Sequence, residues 1–134
     1  MSVAFSSWSF AAVGVGAALG AWMRWGLGLM LNPWLTTVPL GTLVANLLGG
    51  YLVGVAVAAF HLHAGVPPAI KLMVITGFLG GLTTFSTFSA EVVERLVAGQ
   101  VMPALGLAAL HLGGSLLMTW LGLLTVGMPR LWVG

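Results

Sequence analysis

The chain has 134 residues, of which 60% are hydrophobic and only 4% are charged. A soluble domain carries about 25% charged residues because water must wet its surface, so this composition excludes a soluble fold and predicts that lipid surrounds most of the protein. The net charge of +2 comes from very few groups and forms no basic cluster of the kind that binds nucleic acid. The absence of cysteine excludes disulfides, thiol catalysis and thiolate metal sites.

Four apolar segments are each long enough to cross a bilayer, which takes about 20 helical residues. We predict spans at approximately residues 8–31, 40–60, 69–97 and 103–126. The first segment has no basic region before it and three further segments after it, so we interpret it as a retained span and not as a cleaved signal. The short linkers force antiparallel neighbours. The sequence therefore predicts one domain over residues 1–134, an all-α membrane protein of four transmembrane helices.

Glycine is abundant, with 20 residues, and several glycines are spaced four apart on one helical face. Such pairs let membrane helices approach closely. We interpret the following pairs as packing contacts and not as substrate sites: Gly16/Gly20, Gly50/Gly54 and Gly77/Gly81.

The positive charges are divided evenly between the two sides of the membrane. Lys71 and Arg130 fall toward the side of the N-terminus, whereas Arg24 and Arg95 fall toward the opposite side. Orientation follows the Lys/Arg bias between short loops, so a chain with this tie can insert in both orientations, and two copies can then associate head to tail. The alternatives are that the tie is chance, or that the α-amino group breaks it.

The third predicted span contains a stretch, residues 76–89, that disfavours a continuous helix. Three glycines within five residues each weaken a helix by about 1 kcal/mol relative to alanine, and five hydroxyl residues follow within seven positions. Hydroxyls can satisfy the backbone groups that a break leaves open, and unwound carbonyls commonly hold a cation. The alternative is a glycine-rich packing face with hydroxyls bonded to their own helix. The density of hydroxyls favours a third helix that is broken in the middle of the membrane.

Phe85 and Phe88 lie in this stretch at i, i+3, so they project from one face of the restarting helix. Phenyl rings at this spacing are usually lipid or core contacts. An aromatic ring, however, has a positive edge, and two rings among hydroxyls can help a small anion along a path that water does not fill.

Asn46 lies well inside the second predicted span, where its amide needs partners. It is either a clamp between helices or an NH₂ donor to an anion. Ser115 and Thr119 share one face of the fourth span at i, i+4. They either extend a track of donors or bond back to their own helix.

The remaining polar residues allow simpler interpretations. Arg24, near the end of the first span, either snorkels to the interface or sets a positive potential at a pore mouth. Glu91 and Glu94 are interpreted as a solvated helix end. The spacing of His111 and of the two loop histidines predicts no metal site.

These residues carry a resemblance to a known family. Residues 77–91, GFLGGLTTFSTFSAE, are similar to the signature of the Fluc (CrcB) fluoride-channel family. The length, the four spans, Arg24, the GTLVAN of residues 41–46, Gly114-Ser115 and Met118-Thr119 also fit, so the resemblance covers nearly the whole chain.

The resemblance implies an antiparallel dual-topology homodimer with two fluoride pathways. It also implies a structural sodium ion (Na⁺) at the dimer interface, held by the backbone carbonyls of Gly80 and Thr83. The resemblance places the pore phenylalanines at Phe85 and Phe88 and the pore asparagine at Asn46. The arginine near the vestibule is Arg24, and the two polar positions of the fourth span are Ser115 and Thr119.

The resemblance further implies a fluoride-selective channel that exports fluoride passively and lowers its toxicity, in a bacterial inner membrane. No catalytic nucleophile, metal triad or nucleotide loop is present, so we predict no enzymatic activity. One alternative is a small proton-coupled multidrug exporter, which needs a membrane-embedded carboxylate, and no Asp or Glu occurs before Glu91. The other is a non-transporting structural or assembly subunit in which Asn46 and the hydroxyls only join helices.

Overall fold

The computed structural model describes residues 5–127, which form helices joined by short turns. Four helical stretches are long and apolar enough to cross a membrane, at Ser7–Trp34, Leu40–Leu62, Pro68–Val97 and Val101–Val126. The prediction of four spans is therefore confirmed. The predicted starts and ends agree with the structure to within two residues, except that the first span ends later because it continues through a 3₁₀ turn at Asn32–Trp34. Arg130, which we predict to lie toward the side of the N-terminus, is outside the described residues.

The first, second and fourth spans are each built on one helix, and the third is built from several segments. The helices are α1 (Ser7–Leu31), α2 (Leu40–Leu62), α3 (Pro68–Leu72), α4 (Gly80–Leu82), α5 (Phe85–Val97) and α6 (Val101–Val126). A π-helical segment, Met73–Leu79, joins α3 to α4.

A side-chain hydrogen bond and a proline account for the two ends of α1. α1 begins where the Ser6 hydroxyl accepts a hydrogen bond from the Ser9 N–H at 3.0 Å, which satisfies a free amide of the first turn. It ends at Asn32, where the following proline cannot donate a backbone hydrogen bond. The Asn32 side chain then accepts from the Gly41 N–H at 2.8 Å and so ties the end of α1 to the start of α2.

The third span changes backbone conformation between α4 and α5. Thr83 has φ −84° and ψ 152°, and Thr84 has φ −147° and ψ 118°, so both residues are extended. α5 then starts with the Thr84 hydroxyl accepting from the Thr87 N–H at 3.1 Å. Two consecutive extended residues thus separate two helical segments of the same span.

α1 packs against the third span through small residues on both sides. A Cβ atom added to Gly16, Gly20, Gly77 or Gly81 would collide with a backbone carbonyl oxygen of the facing segment. At the contact between α2 and α6, a Cβ atom added to Gly54 would collide with the Thr119 carbonyl oxygen in the same way. The interpretation of the glycine pairs as packing contacts is confirmed, because only a missing side chain allows backbones to approach this closely.

Candidate functional site

A cavity of about 340 Å³ lies between α2, α5 and α6, beside the extended residues of the third span. Six of the eight predicted site residues line it, namely Asn46, Gly80, Thr83, Phe85, Phe88 and Ser115. His111, Thr84, Gly49 and Gly50 also contribute to its walls. Helices that are distant in sequence therefore bring the polar and aromatic residues of the predicted pathway to one place.

Asn46 joins α2 to the extended backbone of the third span. Its Oδ1 accepts from the Thr84 N–H at 2.8 Å, and its Nδ2 donates to the Thr84 carbonyl at 3.0 Å. The same Nδ2 lies 3.1 Å from Nδ1 of His111. Both amide hydrogens are thus used within the protein, so this geometry supports the clamp between helices and not direct donation to an anion.

His111 is the site residue that the sequence analysis missed. It is only 2% exposed, and its Nδ1 faces the Asn46 NH₂ group, which can only donate. Nδ1 must therefore be the acceptor, and the ring hydrogen lies on Nε2. Nε2 is buried and has no hydrogen-bond partner in the described part of the chain. A buried donor without a partner calls for an explanation, and this one belongs to a residue that lines the cavity.

A sequence signal for His111 did exist. It precedes Ser115 by four residues, and Ser115 precedes Thr119 by four, so the three form a polar stripe on one face of an apolar helix. One histidine does not make a metal site, so the residue has no predicted role when it is taken apart from this stripe.

The two phenylalanines continue the wall from His111. The Phe88 ring stacks on the imidazole with centroids 4.6 Å apart and an interplanar angle of 23°. Phe85 meets Phe88 edge-on, with centroids 5.5 Å apart and an angle of 75°. Phe85 is 77% exposed in the single chain, so its ring lies at the open side of the cavity. Ring edges carry a partial positive charge and favour an anion over a cation.

The two extended residues also change which backbone carbonyls are free. In an unbroken helix the N–H groups of Thr84 and Thr87 would donate to the carbonyls of Gly80 and Thr83. Instead Thr84 donates to Asn46, and Thr87 donates to the Thr84 hydroxyl. The carbonyl oxygens of Gly80 and Thr83 thereby lose their helical donors.

Arg24 and Thr119 do not line the cavity. The Arg24 Nε donates to the Gly81 carbonyl at 3.2 Å, so the side chain binds the third span close to its two extended residues and does not simply extend to the interface. The Thr119 hydroxyl donates to the Ser115 carbonyl at 3.0 Å, which is the bond back to its own helix.

The interpretation of Glu91 as part of a solvated helix end needs correction. Glu91 is half-buried, and its Oε1 accepts from the Thr42 hydroxyl at 2.6 Å because α2 passes alongside α5 at this level. Its Oε2 is buried without a partner among the described residues. Glu94, one turn away, is exposed as expected.

The fold and site define a small multi-pass membrane protein whose spans enclose a polar and aromatic cavity, as expected of a protein that conducts a small solute. The chain belongs to the CrcB family: the family model described as "CrcB-like protein, Camphor Resistance (CrcB)" matches residues 11–123. The resemblance inferred from residues 77–91 is thereby confirmed.

Relatives named "Fluoride-specific ion channel FluC" are similar to this chain over nearly their whole length. The protein from Dechloromonas aromatica is 65% identical over 127 residues, which cover 95% of this chain and 94% of the relative. The protein from Ralstonia pickettii is 62% identical over 122 residues, covering 90% and 96%. The one from Cupriavidus taiwanensis is 61% identical over 119 residues, covering 89% and 94%.

Proposed function

We propose that this chain is a fluoride-selective ion channel that exports cytoplasmic fluoride passively across a bacterial inner membrane and so lowers its toxicity. The names of its relatives support the substrate. The observation that carries the proposal is a cavity lined by the Phe85 and Phe88 rings and by His111, whose buried Nε2–H has no partner in the described part of the chain. An ion channel needs no catalytic group, and we assign the chain no enzymatic activity.

The physical task of the cavity is to replace the water that fluoride loses. Burying an unpaired charge has a cost that no pore tolerates. The His111 Nε2–H, the Ser115 hydroxyl and the phenyl edges supply donors and positive partial charge along one wall. Several moderate partners replace hydration without holding the ion in one deep well. A narrow row of donors would disfavour the larger chloride by size.

The driving force needs no coupling ion. Fluoride enters cells as its neutral weak acid and is trapped as the anion in a more alkaline cytoplasm. A membrane potential that is negative inside drives the anion outward, by about 2.3 kcal/mol for each 100 mV.

The working unit that we propose is an antiparallel dual-topology homodimer, with the third span broken in the middle of the membrane at Thr83 and Thr84. The polar residues of the cavity and the extended backbone beside it support this arrangement, because polar groups and irregular backbone are tolerated at membrane depth only when protein covers them. A second copy inserted in the opposite orientation provides that cover. The even distribution of Lys and Arg is compatible with both orientations.

A structural sodium ion between the two copies is part of the proposal. The carbonyls of Gly80 and Thr83, which lose their helical donors at the break, are the oxygen ligands that a hard cation accepts. The ion would supply positive charge that neutralises these carbonyl dipoles. Within the chain, the Thr83 hydroxyl donates to the Leu79 carbonyl at 2.8 Å and Arg24 holds the Gly81 carbonyl, so the backbone on this side of the break is held in place.

The test is efflux from liposomes that contain the purified protein and are loaded with fluoride, followed with a fluoride electrode. Parallel liposomes loaded with chloride serve as the control for leakage and selectivity. We expect fast fluoride release with chloride retained. No release of fluoride from a folded, monodisperse protein would contradict the proposal and would favour a non-transporting structural subunit.

A further inference from the structure

We propose that the chain has a second anion site at Arg95, which collects hydrated fluoride next to the cavity described above. The inference rests on the proposed channel function. The site is a separate cavity of about 650 Å³, here called the Arg95 cavity. It lies between the turn that precedes α2, the end of α5 and the first turns of α6, with Thr37, Arg95, Gln100, Leu107 and Leu110 among its lining residues.

Arg95 has donor capacity that the protein does not use. One terminal nitrogen of its guanidinium donates to the Thr37 carbonyl. The Nε atom is buried and has no partner among residues 5–127. A guanidinium has five N–H donors in a fixed planar arrangement that suits anions. Apart from the bond to Thr37, the guanidinium has no hydrogen-bond partner among the described residues, so its remaining terminal N–H groups are available to an anion.

No carboxylate lines the Arg95 cavity. Glu91 and Glu94 line a smaller cavity of about 270 Å³, which Arg95 and Gln100 also line. The Glu91 carboxylate is in addition bonded to the Thr42 hydroxyl. The larger cavity is therefore lined by Arg95 and by no negative group.

Gln100 adds a second polar group to the same wall. It precedes α6, and its side chain makes no capping hydrogen bond with that helix. The first turn of α6 carries no acidic residue. The amide of Gln100 is thus free to donate to the ligand that Arg95 attracts.

The dimensions and position of the Arg95 cavity suit an ion that still has its water. One water occupies about 30 Å³ of liquid, so a cavity of about 650 Å³ holds fluoride with a full hydration shell. Leu110 lines the Arg95 cavity, and the next residue, His111, lines the other cavity. Consecutive residues of α6 thus line the two cavities, so the cavities lie at the same level of that helix.

The experiment compares fluoride efflux from liposomes containing the wild-type protein, Arg95→Gln, Arg95→Lys and a matched control, Lys71→Gln. The control removes the same charge from α3, far along the span from the Arg95 cavity. Efflux is measured at about 10 mM and at about 500 mM ionic strength with an impermeant salt. Salt screens the charge of the guanidinium strongly only at the higher ionic strength.

We expect Arg95→Gln to lower fluoride efflux about 3- to 10-fold at low ionic strength, because a local charge raises the concentration of the counter-ion by such factors. The difference should shrink to less than about 2-fold at high ionic strength. Arg95→Lys keeps the charge and should retain at least about half of the wild-type efflux. Lys71→Gln should match the wild type at both ionic strengths.

Equal efflux from Arg95→Gln and Lys71→Gln at low ionic strength would overturn the inference. Equal losses in Arg95→Gln and Arg95→Lys at both ionic strengths would also overturn it, because they would assign Arg95 only to its link with Thr37. If Arg95→Gln does not give a monodisperse protein, Gln100→Leu tests the same cavity without touching that link, and unchanged efflux at low ionic strength contradicts the site. If the wild type itself releases no fluoride, the channel proposal is overturned. If the wild type releases fluoride normally and the variants give the contradicting results above, only the second site is overturned.

Discussion

Two interfaces of the molecule use glycine for the same close approach and differ in what lies beside the contact. Between α1 and the third span, glycines face backbone carbonyls so closely that a side chain at Gly20 would collide with the Phe78 carbonyl oxygen. Along α2, a side chain at Gly49 would collide with the Thr83 methyl group, and an added Cβ at Gly50 would lie 2.9 Å from the Ser115 carbonyl oxygen. Both interfaces are therefore too close for a side chain, but only the second borders the cavity. The same residue thus brings backbones together on one side of the third span and, on the other, brings α2 up to the polar residues of the cavity wall.

The largest effect should come from filling the closed interface. Gly20→Val places a branched side chain against backbone that cannot move aside, so we expect no monodisperse protein, or a loss of about 3 kcal/mol or more in stability. Gly14→Val, on the same helix with nothing within 4 Å of its added Cβ, is the matched control. Thermal unfolding in detergent measures both. Similar midpoints for the two variants would mean that close packing does not support the third span.

A large effect on both stability and conduction should come from Asn46→Leu. The change leaves the Thr84 N–H and carbonyl without their side-chain partner, and an unsatisfied buried group costs about 1–3 kcal/mol. We expect a lower unfolding midpoint together with reduced fluoride efflux. Leu47→Ala, at the next position of α2, controls for a general change in that helix. A full loss of efflux with unchanged stability would mean that Asn46 acts on the ion directly and not as a clamp.

His111→Leu should reduce conduction more than stability. It removes the unpartnered Nε2–H of a residue that lines the cavity, and a hydrogen bond to a charged ion is worth about 1.5–3 kcal/mol, which corresponds to a loss of roughly 10- to 100-fold in fluoride efflux. His61→Leu, at the exposed end of α2, is the control for the same chemical change.

The conservative variant His111→Gln keeps a donor and an acceptor and should recover most of the efflux. Wild-type efflux from His111→Leu would remove this residue from the pathway. Equal efflux from His111→Leu and His111→Gln at a reduced level would assign the imidazole to stacking on Phe88.

The smallest of these effects should come from Phe85→Ile at the open side of the cavity. The change removes a positive ring edge while leaving an apolar group, and aromatic geometry contributes about 0.5–1.5 kcal/mol, or up to about tenfold in efflux. Folding should be unaffected, because most of this side chain is exposed in the single chain. Fluoride efflux at matched protein content measures the change. Undiminished efflux would show that the ring does not contact the ion.

The composition and the spacing of glycines determined much of the scaffold. Too few charges for a wetted surface require lipid, and segments of bilayer length in lipid must be helices, since only helices satisfy their own backbone there. The small-residue pairs marked the faces that pack, because a missing side chain has few other uses inside a membrane helix. These features depend on residues close together in sequence, and the four spans and their glycine contacts follow from them.

The tertiary structure alone decided which polar groups meet. Asn46 and His111 are 65 positions apart, and Asn46 and Thr84 are 38 apart. Whether such residues pair depends on the rotation and depth of each helix, which are set by packing against all its neighbours. That packing used both Asn46 hydrogens, left the His111 Nε2–H free, and placed Glu91 against Thr42 when the sequence suggested solvent. A free donor can be recognised only when every competing partner has been located in space, and that is why the main polar group of the cavity was missed in the sequence.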